Sequence, residues 1–180
     1  LTEAGPVTHC NPIYGMHPPG SMGVPFPDTE TRVVDLETGE RLLSVGEIGE
    51  LTVRGPQIMQ GYWNNEGETR QVLRNGWLHT GDIVQQDDHG FFFLLDRKKD
   101  MIKTRGENVY PREVEEVLFR HPAVKDVVVA GVPDYHFGEA VKAYVVLHDG
   151  HSTTELELIA HCRHSLAVFK APASIAFRLE

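Results

Sequence analysis

Read as a string of apolar and polar positions, the chain changes rhythm near its middle. Thr29–Asp35 alternates with the two-residue period of a half-buried strand, and Glu37-Thr38-Gly39-Glu40 supplies a turn. Gly49–Arg54 is a second strand. Asn64-Asn65 opens a short helix running to about Leu73, and Asn75-Gly76 is a turn signal. Ile83–Gln86 and Phe91–Leu95 predict a hairpin across Asp87-Asp88-His89-Gly90. Short strands separated by turns imply a small barrel or a curled sheet.

The charged run Asp96-Arg97-Lys98-Lys99-Asp100 breaks this pattern, so a domain boundary is expected there, with residues 1–97 on one side and 98–180 on the other. Beyond it Pro111 suits the first turn of a helix, where a missing N–H costs nothing. Val114, Val117 and Leu118 then share one face. Val124–Ala130 and Ala140–Leu147 read as buried strands. Thr154 and Glu157 form a capping box ahead of a helix whose predicted inner face is Leu156, Ile159 and Ala160. Ser174–Arg178 closes as a strand. The fold class is therefore α+β: a β-rich subdomain, then a small domain in the order β-α-β-β-α-β, the order of a ferredoxin-like unit.

Charge excludes one class of partner. The chain has 26 acidic residues against 17 basic ones, a net charge of −9, which argues against nucleic acid as the main partner. No apolar run approaches the ~20 residues of a membrane-spanning helix, although peripheral membrane contact stays open. Leu1–Asn11 shows no basic start followed by an apolar stretch, so no signal peptide is expected. Cys10 and Cys162 match no metal or redox spacing and read as free thiols of a reducing cytoplasm. His161-Cys162-Arg163-His164 is read as the polar side of a helix, since a metal site needs a fuller ligand set.

Four stretches carry the candidate chemistry. They are Leu1-Thr2-Glu3, Trp77-Leu78-His79-Thr80-Gly81-Asp82, Leu95-Asp96-Arg97-Lys98-Lys99-Asp100 and Ile102-Lys103-Thr104-Arg105-Gly106-Glu107-Asn108-Val109-Tyr110-Pro111. Together with Gly46-Glu47-Ile48-Gly49-Glu50-Leu51 and Gly61-Tyr62-Trp63, and in this order, they resemble the adenylate-forming superfamily of acyl-CoA synthetases, luciferase and peptide-synthetase adenylation domains. Pro25–Glu30 and Gly55–Trp63 most resemble bacterial long-chain fatty acid–CoA ligases.

The resemblance implies a set of roles. Thr2 and Glu3 would meet the nucleotide, Glu3 helping to hold Mg²⁺, and a hard cation suits a carboxylate oxygen. Asp82 would accept hydrogen bonds from both ribose hydroxyls of ATP, with Arg97 as the second ribose ligand. Lys99 falls at the family's hinge, a position that must absorb a large φ/ψ change. Lys103, Arg105 and Gly106 would line the CoA channel, the two cations attracting a phosphorylated cofactor and Gly106 allowing close backbone approach. Asn108 lies on the same loop without an assigned role.

Some family features are not in this sequence. The Ser/Thr/Gly-rich phosphate loop and most of the acyl pocket are expected upstream. Phe169-Lys170-Ala171-Pro172 resembles the approach to the family's C-terminal catalytic Lys, which Lys170 is not, and the chain stops before that residue. The chain alone is therefore expected to be inactive. The reading is the C-terminal portion of an acid–thiol ligase that forms acyl-AMP from a fatty acid and ATP, then acyl-CoA. A carrier-protein-loading adenylating enzyme is the alternative within the superfamily, and a non-catalytic small-molecule-binding module the alternative outside it.

Overall fold

The computed structural model describes residues 1–178, in two compact units, Leu1–Lys98 and Lys99–Glu180. In the first unit a short 3₁₀ turn, Thr2–Ala4, precedes strands β1 (His9–Cys10), β2 (Ser21–Pro25), β3 (Glu30–Val34) and β4 (Ile48–Arg54). Helix α1 (Glu66–Val72), β5 (Leu73–Arg74), β6 (Trp77–Gln86) and β7 (Phe92–Arg97) follow. The sheet is antiparallel in the order β1-β2-β7-β6-β4-β3, with β5 paired to β6, so its path is open and no barrel closes among the described residues. Asn65 caps α1 by accepting the Glu68 N–H at 3.2 Å. Asn75 and Gly76 both take positive φ, 51° and 80°, as a two-residue hairpin turn requires.

Strand β4 is buried on both faces. Because successive side chains alternate, Leu51 and Val53 enter the apolar core with Val33, Val84 and Phe92, while Glu50 and Thr52 are buried on the opposite side. A carboxylate that is 4% exposed in mid-strand demands partners, and it has them.

In the second unit β8 (Ile102–Thr104) and β9 (Glu107–Val109) precede helix α2 (Pro111–Phe119). Strands β10 (Val124–Asp134) and β11 (Gly138–Leu147) lead to α3 (Glu155–Ser165) and β12 (Ser174–Arg178). Val114, Val117 and Leu118 of α2 pack with Val127, Val129, Val141, Ala143 and Val145 of the sheet. Pro111 stands at the first turn of α2, and the Thr154–Glu157 capping box forms.

Four expectations need correction here. The stretch read as a loop is a β-hairpin, with Lys103 on β8, Asn108 on β9 and Arg105-Gly106 at the turn. The element order resembles a ferredoxin-like unit, but β12 runs parallel beside β11 over Lys142–Val146, and β8 meets β11 only at Gly138↔Thr104. The inner face of α3 is Leu158, Ile159 and Cys162, while Leu156 is 78% exposed and Ala160 is exposed, so that face sits about half a turn from the predicted one. The His161 ring turns back, Nε2 donating to the Val117 carbonyl at 3.0 Å. Both cysteines are free, and burial raises the Cys162 thiol to about 11. Lys170 donates to both carboxylate oxygens of Glu113 at 2.7 and 2.8 Å and ties the last turn to α2.

Candidate active site

The centre of the first unit's site is an irregularity in β6. Across β4, Glu50 faces Ile83 and Thr52 faces His79, so β6 spends two more residues than β4 over the same span. Thr80, Gly81 and Asp82 form this bulge. Gly81 takes φ 71°, a left-handed conformation that glycine adopts without steric cost. The Thr80 hydroxyl donates to the Leu51 carbonyl at 2.8 Å and accepts the Asp82 N–H at 3.0 Å, pinning the bulge from inside. The local physics of Thr-Gly-Asp is thus a hydroxyl staple, a permissive backbone and a carboxylate re-aimed by the kink.

Asp82 sits directly across the ladder from Arg97, and Arg97 Nη1 donates to Asp82 Oδ1 at 2.6 Å. The Asp82 side chain is 17% exposed and that of Arg97 is 44% exposed. Burial raises the Asp82 pKa, and the Arg97 charge works against that rise. Glu3 is half-buried in the 3₁₀ turn. Its own backbone N–H and the Tyr62 hydroxyl, which donates to Oε1 at 2.8 Å, lower its pKa, as does the Arg97 charge. Arg97 thus pairs directly with Asp82, and its charge is the least of the influences on Glu3. Thr2 is exposed and adjoins Glu3 in the 3₁₀ turn.

Behind the bulge is a brace that sequence reasoning missed. Glu50 accepts the Gly81 N–H at 3.1 Å and the Lys98 ammonium at 2.7 Å. Burial raises the Glu50 pKa, but the Lys98 ammonium and the Gly81 N–H outweigh it and hold the carboxyl below its ordinary value. Lys98 also donates its backbone N–H to the Gly81 carbonyl at 2.7 Å. The signal was present in the alternation: with Leu51 and Val53 facing the core, Glu50 belongs to the other face of a central strand. Lys99, next along, is exposed.

In the second unit Lys103 and Arg105 are exposed. Arg105 has φ 55°, its N–H donates to the Phe137 carbonyl at 3.2 Å, and its guanidinium lies 4.1 Å from the Phe137 ring centroid. Gly106 has φ 80° with open space where a Cβ would stand.

Residues 1–63 match the AMP-binding enzyme family, and residues 113–180 match the AMP-binding enzyme C-terminal domain. The chain belongs to the AMP-binding enzymes. It is 52% identical over 180 residues to a long-chain-fatty-acid–CoA ligase of Bacillus subtilis and 47% identical to one of Escherichia coli O157:H7, covering all of this chain and 32% of each relative. It thus spans about a third of the length of these relatives. The ATP-bound structure of MatB from Rhodopseudomonas palustris superposes with a TM-score of 0.93 at 36% identity, over 100% of this chain and 36% of that one. Among AMP-binding enzymes, then, the relatives with these sequences are acid–thiol ligases, and the α+β architecture is shared with an ATP-binding member.

Proposed function

We propose that this chain is the C-terminal portion of a fatty acid–CoA ligase, which joins a carboxylate to the α-phosphorus of ATP with release of pyrophosphate and then transfers the acyl group to the thiol of CoA. The observation that carries this reading is the Asp82–Arg97 pair on the Thr80–Asp82 bulge, in a chain that aligns from end to end with such ligases.

Each residue has a task its geometry permits. Asp82, held in place by Thr80, Gly81 and Arg97, presents a fixed acceptor pair to vicinal ribose hydroxyls, and Arg97 donates beside it. That contact positions the nucleotide without touching the reacting phosphorus, so its value lies in orientation. Glu3 is kept ionised by Tyr62 and its own backbone, which fits a Mg²⁺ ligand. Among the described residues no group of three His, Cys, Asp or Glu side chains gathers to cage a metal. A single carboxylate with water and substrate phosphate oxygens is a usual arrangement for Mg²⁺. That ion would neutralise phosphate charge during displacement. Lys99 is the proposed hinge, and Lys103, Arg105 and Gly106 the proposed wall of the CoA channel.

The test is Asp82→Ala in the full-length protein that contains this chain, read by fatty-acid-dependent pyrophosphate exchange. Loss of a charge-assisted hydrogen bond weakens ATP binding by about 1.5–3 kcal/mol, or roughly 10- to 150-fold in apparent affinity. An unchanged ATP affinity would make Asp82 an ordinary turn residue, and exchange independent of fatty acid would overturn the substrate class.

A further inference from the structure

The first unit carries a cavity of ≈ 310 Å³ between the β3–β4 connection and the tip of the β5–β6 hairpin. Arg32, Thr52, Arg74, Asn75, Trp77 and His79 line it. None of the residues placed at the nucleotide or CoA sites is among them. Arg32, Thr52 and His79 are consecutive cross-strand partners on β3, β4 and β6, so they form one row across a single face of the sheet.

Arg32 in this row points to a missing acceptor, whereas His79 has the Glu50 carboxylate beside it. The Arg32 Nε and His79 Nδ1 atoms are both buried, and neither has a hydrogen-bond partner. The His79 side chain is only 8% exposed, and its Nδ1 stands 3.5 Å from Glu50 Oε2 without hydrogen-bond geometry. Buried donors are ordinarily satisfied, and the orphaned Arg32 Nε on the cavity wall marks a site that can take something that accepts. Charge agrees. The Arg32 guanidinium lies 3.3 Å and that of Arg54 4.6 Å from the Trp77 ring centroid. Arg54 is neutralised by Glu30, whereas Arg32 has no carboxylate partner among the described ion pairs. Burial, then the neighbouring Arg54 charge, lower the Arg32 pKa against the opposing pull of the Glu30 carboxylate, and a bound anion would add to that pull. Arg74 adds a second cation at the mouth, and Glu40 is the one carboxylate among the lining residues.

We propose that this cavity is an oxyanion site that takes a phosphate group, either free phosphate or the phosphate of a nucleotide. Arg32, Arg74 and Asn75 bring N–H donors to its lining, the Arg74 Nε being already spent on the Gln71 carbonyl at 2.7 Å. Such a set matches the several acceptor oxygens of a tetrahedral anion better than the two of a planar carboxylate. The His79 ring, whose Nδ1 faces the Glu50 carboxylate at 3.5 Å, forms part of the wall. The site is separate from the ribose contact at Asp82 and stands whether or not the proposed ligase reaction holds.

Trp77 forms part of the wall and Trp63 is 93% exposed, so a Trp63→Phe background makes tryptophan fluorescence a local reporter. The chain is titrated with sodium phosphate, with AMP, and with sodium chloride at matched ionic strength. The expected result is a saturable change with phosphate, with AMP or with both, absent with chloride. The stronger responder identifies the free or the nucleotide-borne source. Arg74→Gln, exposed and remote from the core, should weaken the response about tenfold or more, the loss for one charge-assisted hydrogen bond. Arg32→Gln should abolish it. The phosphate response, unlike that to AMP, needs no ribose contact, and so separates this site from the proposed ATP site. A response that does not saturate in the millimolar range, that chloride reproduces, or that Arg74→Gln leaves unchanged would overturn the proposal.

Discussion

Removing the Glu50 carboxylate tests the brace behind the candidate site. Glu50→Ala deletes the acceptor of the Lys98 ammonium and of the Gly81 N–H, at 2.7 and 3.1 Å. Breaking one partner of a buried charge pair costs about 3–5 kcal/mol when the remaining charge stays buried. Lys98 is 32% exposed, so water recovers part of that loss, and the expected cost is about 2–3 kcal/mol. Glu50→Gln keeps an oxygen for the Gly81 N–H and should lose roughly 1 kcal/mol less. Urea unfolding followed by tryptophan fluorescence reads the right unit, because Trp63 and Trp77 both lie in Leu1–Lys98. The pH dependence has a fixed sign. The folded Glu50 pKa is depressed, so its contribution is fully present above the ordinary carboxylate value near about 4.3 and fades as pH falls through the lower native value. The gap between wild type and Glu50→Ala should therefore be constant near neutrality and narrow in acid. A cost under about 0.5 kcal/mol, within the range of ordinary surface changes, would refute the brace. So would a gap that persists unchanged in strong acid.

Three further outcomes are expected. Lys99→Pro in the full-length protein fixes φ near roughly −65° and should slow consumption of acyl-AMP by CoA more than its formation in single-turnover measurements; equal loss of both steps would contradict the hinge. Lys103→Glu should impair the same transfer step by repelling CoA phosphates, and raised CoA should restore the rate, which it should not do for Lys99→Pro. Leu158→Ala should cost about 2–5 kcal/mol and Leu156→Ala under about 0.5 kcal/mol by chemical unfolding, as the observed burial requires; comparable losses would contradict the packing of α3.

Strands with clean alternation were legible, as were the helix starts carrying Asn65, Pro111 and the Thr154–Glu157 box, because these are local features. The face of α3 was not. Leu156, Leu158, Ile159 and Ala160 offer two overlapping apolar stripes, and only packing against α2 and the sheet chooses between them. The parallel pairing of β12 with β11 is a long-range event that element order leaves open. Asp82, Arg97 and Glu3 were found through motif order, while Glu50 and Lys98 sat inside the same quoted stretches without a role. What identifies them is a bulge that spends two residues, and a bulge is a property of two strands read together.

The double anchoring of Lys98 has a mechanical consequence. Its backbone and its ammonium are both fastened to the first unit, and the second core begins with buried Ile102. Between these anchors lie Lys99, Asp100 and Met101, which span at most about 10–11 Å fully extended. So short a leash keeps each unit at an effective concentration in the millimolar range for the other. A partner on such a tether never has to be found again by diffusion. Under the proposed hinge at Lys99, alternation between poses would be a matter of torsion in these three residues, and a substitution that stiffens them would change how often the poses trade places.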